Sequence, residues 1–189
     1  MATTAPADAA APAATPTTTV RPLPPDAARR VASDQIIGDV SNAVKELVEN
    51  ALDAGAKSVQ VRLTEFGFDA IEVVDDGRGM SPADRRNACK RHWTSKLHSF
   101  ESLSAVRTLG FRGEALAALC ELAESVEIVT RTADAVAGAK CSYNREGELT
   151  REEVAARGVG TTVSVTGLFA RFPVRRKNFE ATLKKQYGR

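Results

Sequence analysis

The sequence predicts an α/β fold, an α+β sandwich in which a mixed, largely antiparallel sheet carries helices on one face. Segments of alternating apolar and polar residues recur between residues 59 and 165 and are joined by short turns that often contain glycine. Strands joined in this way favour this arrangement over a doubly wound parallel sheet. The 189 residues, of which 43% are hydrophobic, can bury one good core, so we expect one folded domain.

The first predicted element is a helix that begins near Ser41, an expected N-cap, and ends before Gly55, an expected C′ residue. Glu46, Asn50 and Asp53 are spaced i, i+4 and i+7 and are predicted to share one face. The opposite face carries the predicted core-facing stripe of Val44, Leu47, Val48, Ala51 and Leu52. Taken alone, the segment also fits an ordinary amphipathic helix with a solvated acidic face.

The other elements follow in chain order. Strands are predicted over residues 59–64 (half-buried), 70–74, 126–130, 139–143, 148–153 and 160–165, and the segments 139–143 and 148–153 form a predicted hairpin. Short helices are predicted after Ser81, which is followed by a helix-opening proline, and over 99–108. Further helices are predicted over 113–123 and, with a basic character, over 175–187. Residues 91–98 are predicted to form a loop.

Composition limits the class of protein. Three cysteines without CxxC spacing argue against a disulfide framework or a zinc site and for a reducing compartment. No apolar run approaches the roughly 20 residues of a membrane span, so we expect a soluble intracellular protein without a membrane partner. Residues 1–24, rich in Ala, Pro and Thr, are predicted to be a disordered tail. A transit peptide is the alternative, which the absence of Arg before Arg21 disfavours.

Two glycine-containing segments change the interpretation of the acidic helix face. Asp75-Asp-Gly-Arg-Gly79 follows an apolar strand, where a rigidly held carboxylate can accept a hydrogen bond from an exocyclic amine such as adenine N6. Gly110-Phe-Arg-Gly-Glu-Ala-Leu116 precedes a helix, so its backbone N–H groups can form a nest for phosphates. Each segment alone also fits a tight turn. Together with the helix they predict a nucleotide site.

In these motifs the chain resembles the N-terminal ATPase of the MutL family of DNA mismatch-repair proteins, and within it the eukaryotic PMS branch. The motifs occur in the family's order and spacing at residues 45–55, 75–79, 91–96, 110–116, 160–163 and 173–175. Thr94-Ser-Lys96 followed by the 110–116 motif is specific to the MutL type, whereas the first two motifs and Gly160-Thr-Thr162 also occur in gyrase, Hsp90 and histidine-kinase ATPases. The resemblance implies that residues 25–189 form an ATPase domain of the Bergerat (GHKL) fold.

The resemblance also implies roles for the motif residues. Glu46 would be the catalytic general base that activates the attacking water, and Asn50 would bind ATP and ligate Mg²⁺. Asp75 would bind adenine, with support from Thr162. The other implied ATP-site residues are Gly77 and Gly79 beside the base, Thr94, Ser95 and Lys96 in a lid, and Arg112, Gly113, Glu114, Ala115 and Leu116 as phosphate donors.

The implied activity is ATP binding and slow, Mg²⁺-dependent hydrolysis in DNA mismatch repair. ATP would order the lid and the N-terminal residues, and two ATPase domains would then associate into a timed clamp on DNA. The implied partners are a second MutL homologue in a heterodimer, a MutS-homologue mismatch-recognition complex, and double-stranded DNA bound without sequence specificity. The implied location is the nucleus, although no clear import signal stands out.

The chain departs from the family's pattern at two points. Asp34 stands where a glycine is expected, in a segment that resembles the family's N-terminal segment. MutL-type ATPases also continue into a transducer domain that contributes a lysine to the γ-phosphate, and in the PMS branch to an endonuclease site, whereas this chain ends at Arg189. We therefore expect weak or no turnover by the isolated chain. The alternative is a hydrolysis-deficient nucleotide-binding or interaction module; the 110–116 motif disfavours a histidine-kinase-like phosphotransferase.

The basic end of the chain has two interpretations. Residues 171–189 contain seven Lys or Arg and one Glu. This charge fits a contact with the DNA backbone, which salt would weaken steeply. It also fits a solvated helix that packs on a further domain, which we favour slightly because no aromatic stacking platform is visible nearby.

Overall fold

The computed structural model describes residues 21–93 and 113–187, with side chains up to residue 182 in the last helix. The helices are α1 Pro25–Ile36, α2 Val40–Asp53, α3 Pro82–Asn87, α4 Ala115–Leu122 and α5 Pro173–Tyr187. The strands are β1 Val59–Thr64, β2 Ala70–Asp75, β3 Ser125–Arg131, β4 Gly138–Tyr143, β5 Leu149–Ala155 and β6 Gly160–Thr166, and a short 3₁₀ helix spans Glu65–Gly67. The helix predicted over 99–108 lies outside the described residues. Within them, no helix combines the length and the apolar character needed to cross a membrane.

The strands form one sheet in the order β1-β2-β6-β3-β4-β5, and every neighbouring pair is antiparallel. The predicted α/β fold with a largely antiparallel sheet is thereby confirmed. Alternate residues of the central strands point to one face, where Ile71, Ile128 and Val165 are fully buried. The same alternation places Asp75 and Thr161 on this buried face, at one end of their strands.

Helix α2 packs on that face and is well capped at both ends. Asp39, rather than Ser41, is the N-cap, because its carboxylate accepts a hydrogen bond from the backbone N–H of Asn42. Gly55 has the predicted left-handed conformation at φ 79°, and the bonds around it close a Schellman motif. The predicted apolar stripe was too wide: Leu47 and Ala51 are buried, but Leu52 is 48% exposed.

Strand β1 was predicted to be half-buried, and this prediction was wrong. Its apolar residues do point to the same face as the buried residues of β2, with Val61 opposite Val73 and Leu63 opposite Ile71. However, β1 is an edge strand, and Val61 and Leu63 are 40% and 49% exposed. Alternation predicts which face a residue is on, but burial also depends on whether another element covers that face.

Helix α1 is an α-helix that the sequence interpretation did not predict. It packs mainly against α4, and the buried carboxylate of Glu121 on α4 pairs with Arg30 at 3.5 Å and with Arg145 at 3.3 Å. Asp34, the residue found in place of the expected glycine, lies within this helix and pairs with Arg175 of α5. Helix α5 begins two residues earlier than predicted and reaches the core through Phe179, whose ring stacks on that of Phe169 at 5.7 Å.

Candidate functional site

A cavity of about 810 Å³ lies beside α2, at the end of the sheet where β2 finishes and β6 starts. Its size is within the range of ligand-binding pockets. Residues of all three predicted motifs line it: Glu46, Asn50, Asp75, Gly79, Gly113, Glu114, Ala115 and Leu116. Segments far apart in the sequence therefore meet around one space. Helix α1 adds Ala32, Gln35 and Ile36 to the wall.

The polar face of α2 forms one side of the cavity instead of a fully solvated surface. Glu46 and Asn50, one helical turn apart, both line the cavity, and the Glu46 side chain is 28% exposed. Lys45 binds Glu49 at 2.8 Å and lies 3.8 Å from the nearer carboxylate oxygen of Glu46. Glu49 is thereby held in an ion pair with its i−4 neighbour, and its side chain is only 17% exposed.

Asp75 provides a buried carboxylate that also lines the cavity. Its Oδ1 accepts hydrogen bonds from the backbone N–H groups of Gly77 at 2.8 Å and Thr161 at 3.1 Å. Burial raises the pKa of Asp75, and these two hydrogen bonds oppose that increase. Both described bonds converge on Oδ1, so the carboxylate is held in one orientation while Oδ2 receives neither of them.

Thr161, not Thr162, lies beside Asp75 and lines the cavity. The Thr161 hydroxyl is 3.0 Å from that of Thr130, a fully buried residue that also accepts the backbone N–H of Met80 at 2.9 Å. Thr162 points to the other face of the sheet, where its hydroxyl accepts a hydrogen bond from Arg157. Strand alternation could have indicated this, since Thr161 shares the parity of the buried Val165.

The two glycines of the Asp75–Gly79 segment are required by contacts within the protein. A Cβ at Gly79, where φ is 75°, would overlap the carbonyl oxygen of Arg131. A Cβ at Gly77 would lie 2.9 Å from that of Ala54. Gly79 lines the cavity, whereas Gly77 acts on it indirectly through its hydrogen bond to Asp75. Clearance for a bound base therefore stays a prediction for both.

The segment before α4 forms a third side of the cavity. Gly113 has φ 61°, and its carbonyl accepts the backbone N–H of His92 at 3.1 Å. Glu114 is the N-cap of α4 but makes no side-chain cap; its carboxylate instead lies 3.3 Å from Nδ1 of His92. The first N–H groups of α4 have no partner within the helix, which is the arrangement that binds anions. The predicted residues Thr94, Ser95, Lys96 and Arg112 lie outside the described residues.

These groups could serve a ligand with an amine at one end and anionic groups at the other. The Asp75 carboxylate suits an exocyclic amine, and the N-terminus of α4 suits phosphates. Glu46 and Asn50 add a possible base and an oxygen ligand for a hard cation. The sequence interpretation missed Thr130, Thr161 and Arg157, because their contribution depends on contacts between separate strands.

Comparisons with known proteins show which family the chain belongs to. The family model described as "Histidine kinase-, DNA gyrase B-, and HSP90-like ATPase" matches residues 39–161. The "DNA mismatch repair protein PMS1" of Arabidopsis thaliana is 43% identical over 178 residues, which are 92% of this chain and 19% of that protein. The chain spans only 16% to 22% of the length of this and two further curated relatives.

Solved structures give the same result for the fold. A structure described as the N-terminal domain of a DNA repair protein matches 84% of this chain and 44% of its own, with a TM-score of 0.70 and 37% identity. The MutL ATPase domain of Aquifex aeolicus, complexed with ADP, matches 75% of this chain and 48% of its own, with a TM-score of 0.54 and 27% identity. The chain belongs to the histidine kinase-, DNA gyrase B- and HSP90-like ATPase family, and its resemblance to MutL-type mismatch-repair proteins of the PMS branch is confirmed.

Proposed function

We propose that this chain binds ATP and hydrolyses it slowly with Mg²⁺, as the N-terminal ATPase of a PMS-type MutL homologue in DNA mismatch repair. The observation that carries the proposal is the meeting of three motifs around one cavity: the Glu46–Asn50 face of α2, the buried Asp75 carboxylate, and the N-terminus of α4. A related MutL ATPase domain has been solved with ADP.

The adenine would lie against Asp75. Its N6 amine would donate a hydrogen bond to the carboxylate, while Gly77 and Thr161 hold Oδ1 in place. The fixed orientation favours a ligand with a donor at that position, because an acceptor would face a negatively charged oxygen. We assign Thr161 the supporting contact that the resemblance implied for Thr162.

The phosphates would lie toward α4 and the polar face of α2. The N–H groups of Gly113, Glu114, Ala115 and Leu116 would donate to phosphate oxygens, and the lid residues Thr94, Ser95 and Lys96 with Arg112 would complete the enclosure. The Asn50 side-chain oxygen fits Mg²⁺, which binds few protein oxygens and otherwise keeps water or phosphate ligands. When bound, Mg²⁺ neutralises charge on the phosphates.

Glu46 would orient the attacking water and accept its proton. Its carboxylate is half-buried on the cavity wall, one helical turn from Asn50, so base and metal ligand can act on the same phosphate. Lys45 lies close enough to limit the orientations of this carboxylate, but its stronger contact is with Glu49. The long contact between Lys45 and Glu46 therefore leaves the Glu46 carboxylate available to a water molecule in the cavity.

The wider biological role rests on the relatives. We propose that ATP binding drives association with a second MutL homologue, that the pair clamps nonspecific double-stranded DNA, and that it acts with a MutS-homologue complex in the nucleus. Residues 1–24, predicted to be a disordered tail, and the proposed ATPase domain over residues 25–189 would then correspond to the N-terminal part of such a protein.

Nucleotide binding and turnover measured side by side test the proposal. We expect ATP binding with slow turnover in the 189-residue chain, loss of turnover with retained binding in Glu46→Ala, and loss of Mg²⁺-dependent binding in Asn50→Ala. Glu153→Ala, at an exposed position of β5 paired with Arg151, is the matched control. Binding without turnover in the unaltered chain would favour the hydrolysis-deficient module. Absence of binding would refute the proposal for this chain.

A further inference from the structure

Arg157, in the loop between β5 and β6, makes three hydrogen bonds at the end of the sheet that carries Asp75. Its Nη2 donates to the Asp75 carbonyl oxygen at 2.9 Å, its Nε to the Thr162 hydroxyl at 3.2 Å, and its Nη1 to the Gly158 carbonyl at 3.1 Å. The side chain is half-buried, and burial lowers the pKa of its guanidinium. One planar group thus joins β2, β6 and their neighbouring loop.

These bonds fall where the regular pairing of the two strands ends. The β2–β6 ladder stops at Val74 and Thr162, so on the β6 side Asp75 lies one residue beyond the last pair. The Asp75 carbonyl approaches Gly160 so closely that a Cβ there would overlap it. Val59 of β1 pairs with Asp75 on one side, whereas on the β6 side, beyond the end of the ladder, Arg157 fastens the Asp75 backbone.

We infer that Arg157 is a positioning residue for the Asp75 carboxylate and that it sets the preference of the site for adenine over a 6-oxo purine. The inference rests on the proposed function. Arg157 contacts the backbone oxygen of Asp75, and the side chain of Asp75 contacts Thr161 on the other face of the sheet. Movement of the strand end would therefore move the carboxylate itself.

Discrimination between adenine and a 6-oxo purine depends on the position of the Asp75 carboxylate. Adenine presents an amine donor at C6, whereas hypoxanthine presents a carbonyl acceptor, which a carboxylate repels. A hydrogen bond to a charged acceptor discriminates roughly 10- to 100-fold when its geometry is kept. A shift of about 1 Å at a positioning contact can remove an effect of that size.

The test compares the affinities of ADP and inosine diphosphate by calorimetry on the 189-residue chain. We expect the unaltered chain to prefer ADP roughly 10- to 100-fold and Arg157→Met to reduce the preference to about threefold or less. The ratio of two affinities in one variant does not depend on the fraction that is folded. Arg151→Met, the same change at a side chain that is 70% exposed, should keep the full ratio.

Two further variants show whether a changed affinity ratio comes from lost positioning of Asp75, from the lost charge of Arg157 or from misfolding. Arg157→Lys keeps the positive charge near Asp75, but a compact ammonium cannot span the three acceptors, so the ratio should still fall. Thr162→Val removes only the Nε partner and should lower the ratio to an intermediate value. An unchanged ratio in Arg157→Met or Arg157→Lys would overturn the inference; if Arg157→Met binds neither nucleotide, an unchanged ratio in Thr162→Val would do so.

The variant Asp75→Asn distinguishes failure of the inference about Arg157 from failure of the proposed function. If Asp75 binds adenine, the substitution should abolish or invert the ADP preference, because an amide can donate to a 6-oxo group. If the unaltered chain shows no preference, or Asp75→Asn keeps it, the proposed adenine contact is wrong and the inference falls with it. If Asp75→Asn removes the preference while Arg157→Met keeps it, the adenine contact stands and only the role of Arg157 is refuted.

Discussion

Replacing Thr130 with valine should destabilise the fold through hydrogen bonding alone. Thr130 is fully buried on β3, and its hydroxyl group lies between three partners. It accepts the Met80 backbone N–H at 2.9 Å, donates to the Gly160 carbonyl at 3.0 Å, and contacts the Thr161 hydroxyl at 3.0 Å. Valine has nearly the same shape, so it leaves no cavity but cannot make any of these bonds.

The expected loss in the free energy of unfolding follows from the polar groups that lose a hydrogen-bond partner. A buried polar group left unsatisfied costs about 1–3 kcal/mol. Met80 and Gly160 lose a bond to their backbone groups, and Thr161 loses one to its hydroxyl; Met80 is only partly buried, which reduces its share. We therefore expect Thr130→Val to lower the free energy of unfolding by about 2–4 kcal/mol.

Urea denaturation measures this loss directly. Thr166→Val makes the same chemical change at an exposed position of β6 and should alter the free energy of unfolding by less than about 0.5 kcal/mol. The double variant Thr130→Val/Thr161→Val should lose less than the sum of the single losses, because the two hydroxyls share one bond. A loss below about 0.5 kcal/mol for Thr130→Val, or strict additivity, would refute the reasoning.

Two further predictions concern the segment next to Asp75. Gly79→Ala should lower the urea midpoint well beyond Gly55→Ala: both residues have positive φ, at 75° and 79°, but only at Gly79 would a Cβ overlap a backbone carbonyl oxygen. The left-handed conformation alone costs about 1–2 kcal/mol, so equal effects would contradict the predicted overlap. The backbone N–H groups of Ser58 and Lys57 hold the pKa of Asp76 below its usual value. The stability that Asp76 contributes is therefore present above its unfolded-state pKa of about 3.9 and is lost as pH falls through the lower folded-state pKa. The melting temperature of Asp76→Asn should be below that of the unaltered chain at neutral pH and approach it in acid; a constant difference would exclude this origin.

Local rules predicted the sheet and α2 because their signals lie within a few residues. The alternation of apolar and polar residues along β2 and β6 can be read from adjacent residues of the sequence. The end of α2 is likewise marked by a single nearby residue, Gly55. Helix α1 was not predicted, and the one residue that it buries, Ser33, is polar, so its burial does not follow a pattern of apolar residues. Its contacts are with residues distant in the sequence and include the packing against α4 and the ion pair between Arg30 and Glu121.

The candidate site was predictable to the extent that motif residues and cavity residues coincide. Glu46, Asn50 and Asp75 do line one cavity. The choice between Thr161 and Thr162 required strand parity, and Arg157 could not be identified without knowing that its loop folds back onto β2. Hydrogen bonds between residues 82 positions apart leave no periodic signal in the sequence.

Arg175 has a consequence for how the molecule opens. It lies near the start of α5, stacks over Phe169 at 4.2 Å, and donates to the carbonyl oxygens of Ile37 at 2.9 Å and Gly38 at 2.8 Å as well as to Asp34. The first and last helices of the described chain are thereby joined through one guanidinium group. Neither helix can detach without breaking contacts of the other, so both belong to the same cooperative unit. Because Ile36 lines the cavity, opening of this unit would also remove part of the cavity wall. Local unfolding of α1 and α5 is thereby coupled to the shape of the candidate site.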